Sequence, residues 1–203
     1  MANANKPSGL SPVQYLNGSP WNGQARLYSV AYNYGSALYI GDPVILSGTS
    51  DVNGVAGVTL ATAGDANPVV GAVVGVGRYE SLIANPNNLN ITYFPSGGDG
   101  ATNPWYVMVA DDPNIIFEAQ DIGTSTALAA ADIGLNINLK SAASNGFISG
   151  WGIDNNSKAT TATFQCKLMG LVRTSDNAFG QYAKFLVKIN NHFYGTGTGS
   201  AGV

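Results

Sequence analysis

From Arg26 onward, apolar and polar residues alternate in short runs broken by turn residues. "ARLYSVAY", "SALYIGDPVILSG", "NGVAGVTLATAG" and "PVVGAVVGVGRYESLI" come first. "NITYF", "WYVMVA" and "NIIFEAQ" follow, and "LNINLK", "NGFISGWGI", "TTATFQCKLMGLVR" and "YAKFLVKINNHFY" complete the series. Many short strands with turns at close intervals predict a β-barrel or sandwich. No helices alternate with the strands, which argues against a doubly wound fold. Asn53-Gly54 predicts a tight turn.

Two strands have unusual faces. Gly71, Gly75 and Gly77 share one parity, so a regular strand there would carry a bare face that another backbone can approach. In "WYVMVA", Trp105, Val107 and Val109 form one face and Tyr106, Met108 and Ala110 the other. Both faces are apolar, which predicts burial between sheets, with an oligomer contact at Trp105, Tyr106 and Met108 as the second option. "GTSTALAAADIG" is the one stretch that reads as a helix, capped at Thr124 or Ser125 and ended by Gly134.

Residues 1–25 are rich in Asn, Pro, Gly and Ser and read as an extended arm with turns rather than an element. Its large groups include Tyr15 and Trp21. Residues 26–195 then form one all-β domain with one short helix, a single β-barrel or jelly-roll-like sandwich, and 196–203 form a flexible tail. The N-terminus lacks the apolar core of a signal peptide, and no run approaches the ~20 apolar residues of a spanning helix.

Composition narrows the setting. Only 10% of the 203 residues are charged, and 26 are glycine. A typical soluble protein carries about 25% charged residues. Such a neutral surface suits an extracellular β module or a subunit that lives packed against others. Net charge is −3, which disfavours nucleic acid as a partner. Residues 1–160 hold five basic residues against eleven acids, and 161–203 hold four against one. The C-terminal part is thus locally basic. Cys166 and His192 are the only residues of their types, so neither a disulfide nor a His-rich zinc site is expected. Cys166 reads as a buried structural thiol.

Candidate chemistry centres on Asp111, Asp112 and Glu118. Paired acids of a glycosidase lie ~5–10 Å apart across the sugar. Adjacent Asp111 and Asp112 would point to opposite faces of a strand. Asp112-Pro113-Asn114 has turn chemistry and predicts the tip of a hairpin, with Glu118 facing solvent or an interface. The glycine-rich "GVGRYE" lacks the helix that a dinucleotide loop requires. "SGTSDVNG" and "PSGGDGATN" lack the acidic spacing of a calcium loop and read as turns. No cofactor and no metal are expected.

Residues 167–195, "KLMGLVRTSDNAFGQYAKFLVKINNHFYG", together with "IGDPVILSG" and "AADIGLNINL", resemble tailed-bacteriophage capsid cement or decoration proteins. The resemblance implies a non-enzymatic protein on the outer capsid surface of a virion, made and assembled in the host cytoplasm. Its partners would be the major capsid protein and further copies of itself, as a dimer or trimer, with no nucleic acid and no membrane. On that reading Tyr15 and Trp21 would reach a neighbour. Arg173, Lys184 and Lys188 would face an acidic capsid patch. The alternative is a receptor- or glycan-binding β module of a tail fibre or adhesin, with Trp21, Trp105 and Trp151 stacking on sugars.

Overall fold

Two groups of strands divide the chain in the computed structural model, which describes residues 3–78, 91–98 and 105–195 together with 199, 201 and 202. The strands in chain order are β1 (Ser11–Tyr15), β2 (Arg26–Val30), β3 (Leu38–Tyr39), β4 (Pro43–Ser50), β5 (Ala56–Leu60), β6 (Gly71–Arg78) and β7 (Tyr93–Phe94). They continue as β8 (Trp105–Ala110), β9 (Ile115–Gln120), β10 (Asn136–Lys140), β11 (Gly152–Ala159), β12 (Cys166–Leu171) and β13 (Lys184–Ile189). β2, β5, β4, β6 and β8 close a five-stranded barrel in that order. β1, β9, β13, β12, β10 and β11 form an open six-stranded sheet, and β3 pairs with β7. The fold is all-β, as the alternation predicts.

The two-faced strands explain how the bodies join. Val107 and Val109 of β8 and Val73 of β6 face the barrel interior, with Val30, Val44, Val58, Phe94 and Trp105. Ala110 and Ala72 of the same strands face the other way, into a second core built by the sheet. That core takes Ile115, Phe117 and Ala119 from β9, Phe185, Val187 and Ile189 from β13, and Ile137, Leu139 and Leu168 from β10 and β12. The wall formed by β6 and β8 therefore belongs to two cores at once. Where the sheet packs on it, at Ala72 and Ala110, both faces are apolar because neither meets water; further along, Met108 is half-buried. The trade between size and closeness is visible here: alanines stand on the face where the sheet approaches.

Gly71 serves a different close approach, within the barrel wall, since a Cβ there would lie 2.2 Å from the carbonyl oxygen of Ala110 at the end of β8. The other two glycines do not share its face. The register slips between Val73 and Gly75, a β-bulge that inserts one residue and reverses parity. Gly71 lies with Val73 on one side, and Gly75 and Gly77 lie on the other. A bulge leaves no trace in simple alternation, so the bare face expected from sequence is not formed.

β8 and β9 are not a hairpin. Asp112-Pro113-Asn114 does turn: the Asn114 amide donates to the Asp112 carboxylate at 2.8 Å and the Ile115 amide to the Asp112 carbonyl at 3.0 Å. Yet β8 pairs with β2 and β6, while β9 pairs with β1 and β13. The turn is a corner at which the chain leaves the barrel and enters the sheet.

Four further expectations change. Part of the predicted arm is a strand, β1, which pairs antiparallel with β9 at the sheet edge. Pro12 sits at this edge, where a missing amide is tolerated, and a bulge follows it. Asn3 exchanges hydrogen bonds with Ala178, and Gln120 donates to the Ala4 carbonyl while accepting from the Lys6 amide. The arm therefore folds on its own domain.

The predicted helix shrinks to a 3-10 turn at Ala130–Asp132. Its twelve-residue window is at the margin of helix stability in water. Distant groups act on it instead: the Ser125 amide donates to Asn155 and Leu128 is drawn into the core, while the Ala129 amide donates locally to Asp132. Gly134 still ends the turn, at φ 97°.

Finally, the run 145–153 is mostly loop, and the strand there is the polar Gly152–Ala159. At the tail, the Gly202 amide returns to the Thr160 carbonyl at 3.0 Å, so these last described residues are tied down.

Candidate interaction surfaces

The three carboxylates of residues 111–118 have three separate partners. The Tyr28 hydroxyl donates to the Asp111 carboxylate at 2.6 Å, and the Arg26 guanidinium lies 3.3 Å from the same oxygen. Arg26 also stacks 5.5 Å from the centre of the Tyr194 ring. Asp111 raises the Arg26 pKa, and burial followed by the bond to Asp111 keeps the Tyr28 hydroxyl protonated. Asp112 caps the corner. Glu118 accepts from Lys184 at 2.8 Å across adjacent strands. Each acid is committed to a structural contact, and the group does not converge on one cleft as a hydrolytic pair must.

His192 lies behind the Asp111 corner, 3% exposed. Its Nδ1 accepts the Tyr194 amide at 3.0 Å. Burial and then Lys188 push its pKa down to about 4, against the pull of Asp111 and Asp112. The ring is neutral at pH 7. Cys166 is fully buried as expected, and burial pushes its thiol up to about 12. Among the described residues, no group of three or more His, Cys, Asp or Glu is placed to hold a metal ion. Among them too, no helix is long and apolar enough to cross a membrane.

The basic residues divide rather than converge. On β13, Lys184, Leu186 and Lys188 point outward and Phe185, Val187 and Ile189 point to the core. Lys184 is taken by Glu118. Lys188 stands opposite Lys167 of β12, and burial followed by that neighbour lowers its pKa. Arg173 is exposed just beyond β12. Lys167 is the missed member of this face; alternation of Lys167 with buried Cys166 and Leu168 is the signal that marks it as outward.

Tyr15 and Trp21 are half-buried and pack against the shared core. The Tyr15 hydroxyl bonds Asn22 and Gln24, and the Trp21 indole donates to the Gln24 carbonyl. Trp105 and Trp151 are each 4% exposed, so neither offers a face to a sugar. Tyr106 is buried on the outer face of β8 with its hydroxyl on Asp51, and Met108 is half-buried. The Trp105–Tyr106–Met108 strand is thus wall packing within the chain.

Large apolar side chains are exposed at scattered loop tips. Val52 is 98% exposed at the β4–β5 hairpin, and Phe147 is 67% exposed before β11. Leu16, Phe179 and Phe193 are exposed elsewhere. Between the end of β2 and the β4–β5 hairpin lies a half-open cleft of about 360 Å³. Val30 and Val58 are at its floor; Tyr32, Tyr34, Asp51, Val52 and the Ser47–Thr49 hydroxyl pair line it further out. β2 and β5 run parallel and meet there at one registered pair, Ser29 opposite Gly57.

No protein-family model matches the chain, and no curated protein and no solved structure matches it.

Proposed function

We propose that the chain is a non-enzymatic capsid cement or decoration protein, bound to the outer surface of a tailed-bacteriophage shell through the major capsid protein. The observation that carries this reading is the distribution of exposed apolar side chains. Leu16, Val52, Phe147, Phe179 and Phe193 project from separate loops of both bodies on a surface poor in charge. Ligand sites are concave and mostly apolar, whereas these side chains stand apart from one another. Singly exposed apolar side chains are ordinary on a soluble surface; what sets this chain apart is how few charges accompany them, 10% of its residues against about 25% in a typical soluble protein. The texture of residues 167–195 supports the same reading. Binding only the assembled lattice would stabilise that state by mass action, and many copies would sum small contact energies.

The outward Lys167, Arg173 and Lys188 supply the electrostatic part of the contact, and Lys184 is held by Glu118. The test mixes purified protein with shells stripped of their accessory proteins and counts bound copies at saturation. Saturable binding at a copy number matching symmetric lattice sites is expected, and it should weaken with Phe147→Ser and Leu16→Ser. Glycan binding without shell binding would overturn the reading in favour of a receptor-binding module. The buried Trp105 and Trp151 weigh against that alternative.

A further inference from the structure

The cleft at the end of β2 combines three features. Its floor is apolar, formed by Val30 and Val58. Two tyrosine rings line it, and Tyr32 remains 43% exposed. Asp51 is among the residues lining it. Every hydrogen bond to Asp51 comes from a neutral donor: the Asn53 amide at 2.9 Å, the Val55 amide at 2.7 Å, the Asn53 side-chain amide and the Tyr106 hydroxyl. Burial raises the Asp51 pKa, but these bonds outweigh it, and the carboxyl lies below its ordinary range. It is ionised at neutral pH. No basic residue is among the described residues lining the cleft, and Asp51 enters no ion pair among them.

An occupant must therefore match an apolar floor, aromatic walls and one negative charge. Volume limits it further: about 360 Å³ is near the lower end of small-ligand pockets, room for one long side chain. A neutral apolar side chain leaves the charge unused. A lysine meets the charge with a compact, strongly hydrated head. Arginine carries an apolar stem and a flat, weakly hydrated guanidinium that stacks on tyrosine and bonds a carboxylate. The Ser47–Thr49 hydroxyls offer it additional acceptors.

We propose that this cleft receives an arginine side chain of a partner protein. Val52, almost fully exposed beside it, would then pack on the partner's surface around that arginine. The inference does not depend on the assembly the chain joins, because shell binding and arginine binding are read separately and either can fail alone.

The test titrates the ¹⁵N-labelled protein with N-acetyl-arginine methylamide and with its citrulline counterpart, which keeps the shape and loses the charge. Saturable amide shifts are expected at residues 30–32 and 50–52, with citrulline roughly tenfold weaker. Asp51→Asn, which keeps an acceptor for the hairpin amides, should bring arginine down to the citrulline affinity. Tyr32→Ala alters an exposed ring without touching the hairpin and should weaken both probes. Equal binding of the two probes, shifts confined to another surface, or no saturable shift overturns the proposal. Free arginine binding more tightly than the blocked form overturns the assignment to a protein side chain.

Discussion

The barrel and the six-stranded sheet solve the same burial problem differently. The barrel closes on itself, with β2 and β5 meeting at a single registered pair, and its interior is a plain aliphatic and aromatic filling around Phe94 and Trp105. The sheet stays open and has an outer face to manage. It does so with polar side chains, each held by a named partner: Glu118 by Lys184, and Gln120 by Ala4, Lys6 and Tyr182. Closure makes specificity cheap for the barrel. The open sheet spends terminal segments on the same end, the arm at one edge and residues 201–202 near the other.

The largest effect should come from the cores. Phe94→Ala in the barrel and Phe117→Ala in the shared core should each cost about 3–5 kcal/mol. Because β6 and β8 line both cores, each variant should still unfold in one step by intrinsic fluorescence and by far-ultraviolet dichroism. Two resolved transitions would mean that the bodies fold separately.

Next comes pH. The imidazole of His192 titrates near 6.5 when unfolded and near 4 in the fold. Between those values the unfolded chain binds the extra proton. Stability is therefore flat above about pH 6.5 and falls as pH drops toward 4, by roughly 3 kcal/mol for this group. Denaturant midpoints compared between the native chain and His192→Gln should show that slope reduced in the variant.

A smaller loss is expected from Gln120→Ala, which strands the Ala4 and Tyr182 carbonyls and the Lys6 amide. About 1–3 kcal/mol should be lost, and hydrogen exchange at Lys6 should accelerate while barrel amides stay protected. The smallest effect belongs to Glu118→Gln. Its ion pair with Lys184 is partly exposed, so urea denaturation should register less than about 1 kcal/mol.

The sequence makes the strands legible wherever an element has one wet face and one dry one. β13 alternates cleanly between buried and partly exposed positions, and the turns at Asn53-Gly54 and Asp112-Pro113-Asn114 follow from local chemistry. The doubly apolar β8 is also readable as a buried strand. What alternation does not contain is pairing. Whether a turn closes a hairpin or switches sheets depends on which strands lie alongside, and nothing in residues 103–120 encodes that. The β6 bulge, the edge strand β1 and the loss of the helix are likewise decided by distant groups such as Asn155 and Phe117. The cluster of Arg26, Tyr28, Asp111 and Tyr194 spans most of the chain and is invisible to any local pattern. The cleft beside Tyr32 is hidden for the same reason, being built from β2 and the β4–β5 hairpin.

The corner at Asp112–Asn114 has a mechanical consequence. Since β8 and β9 share no ladder, a force separating barrel from sheet does not unzip hydrogen bonds one after another along that joint. It loads the covalent corner and the packed wall together, with the Arg26–Asp111–Tyr194 cluster acting as a brace across the gap. A joint built this way is expected to yield all at once, as a rivet does rather than a zip.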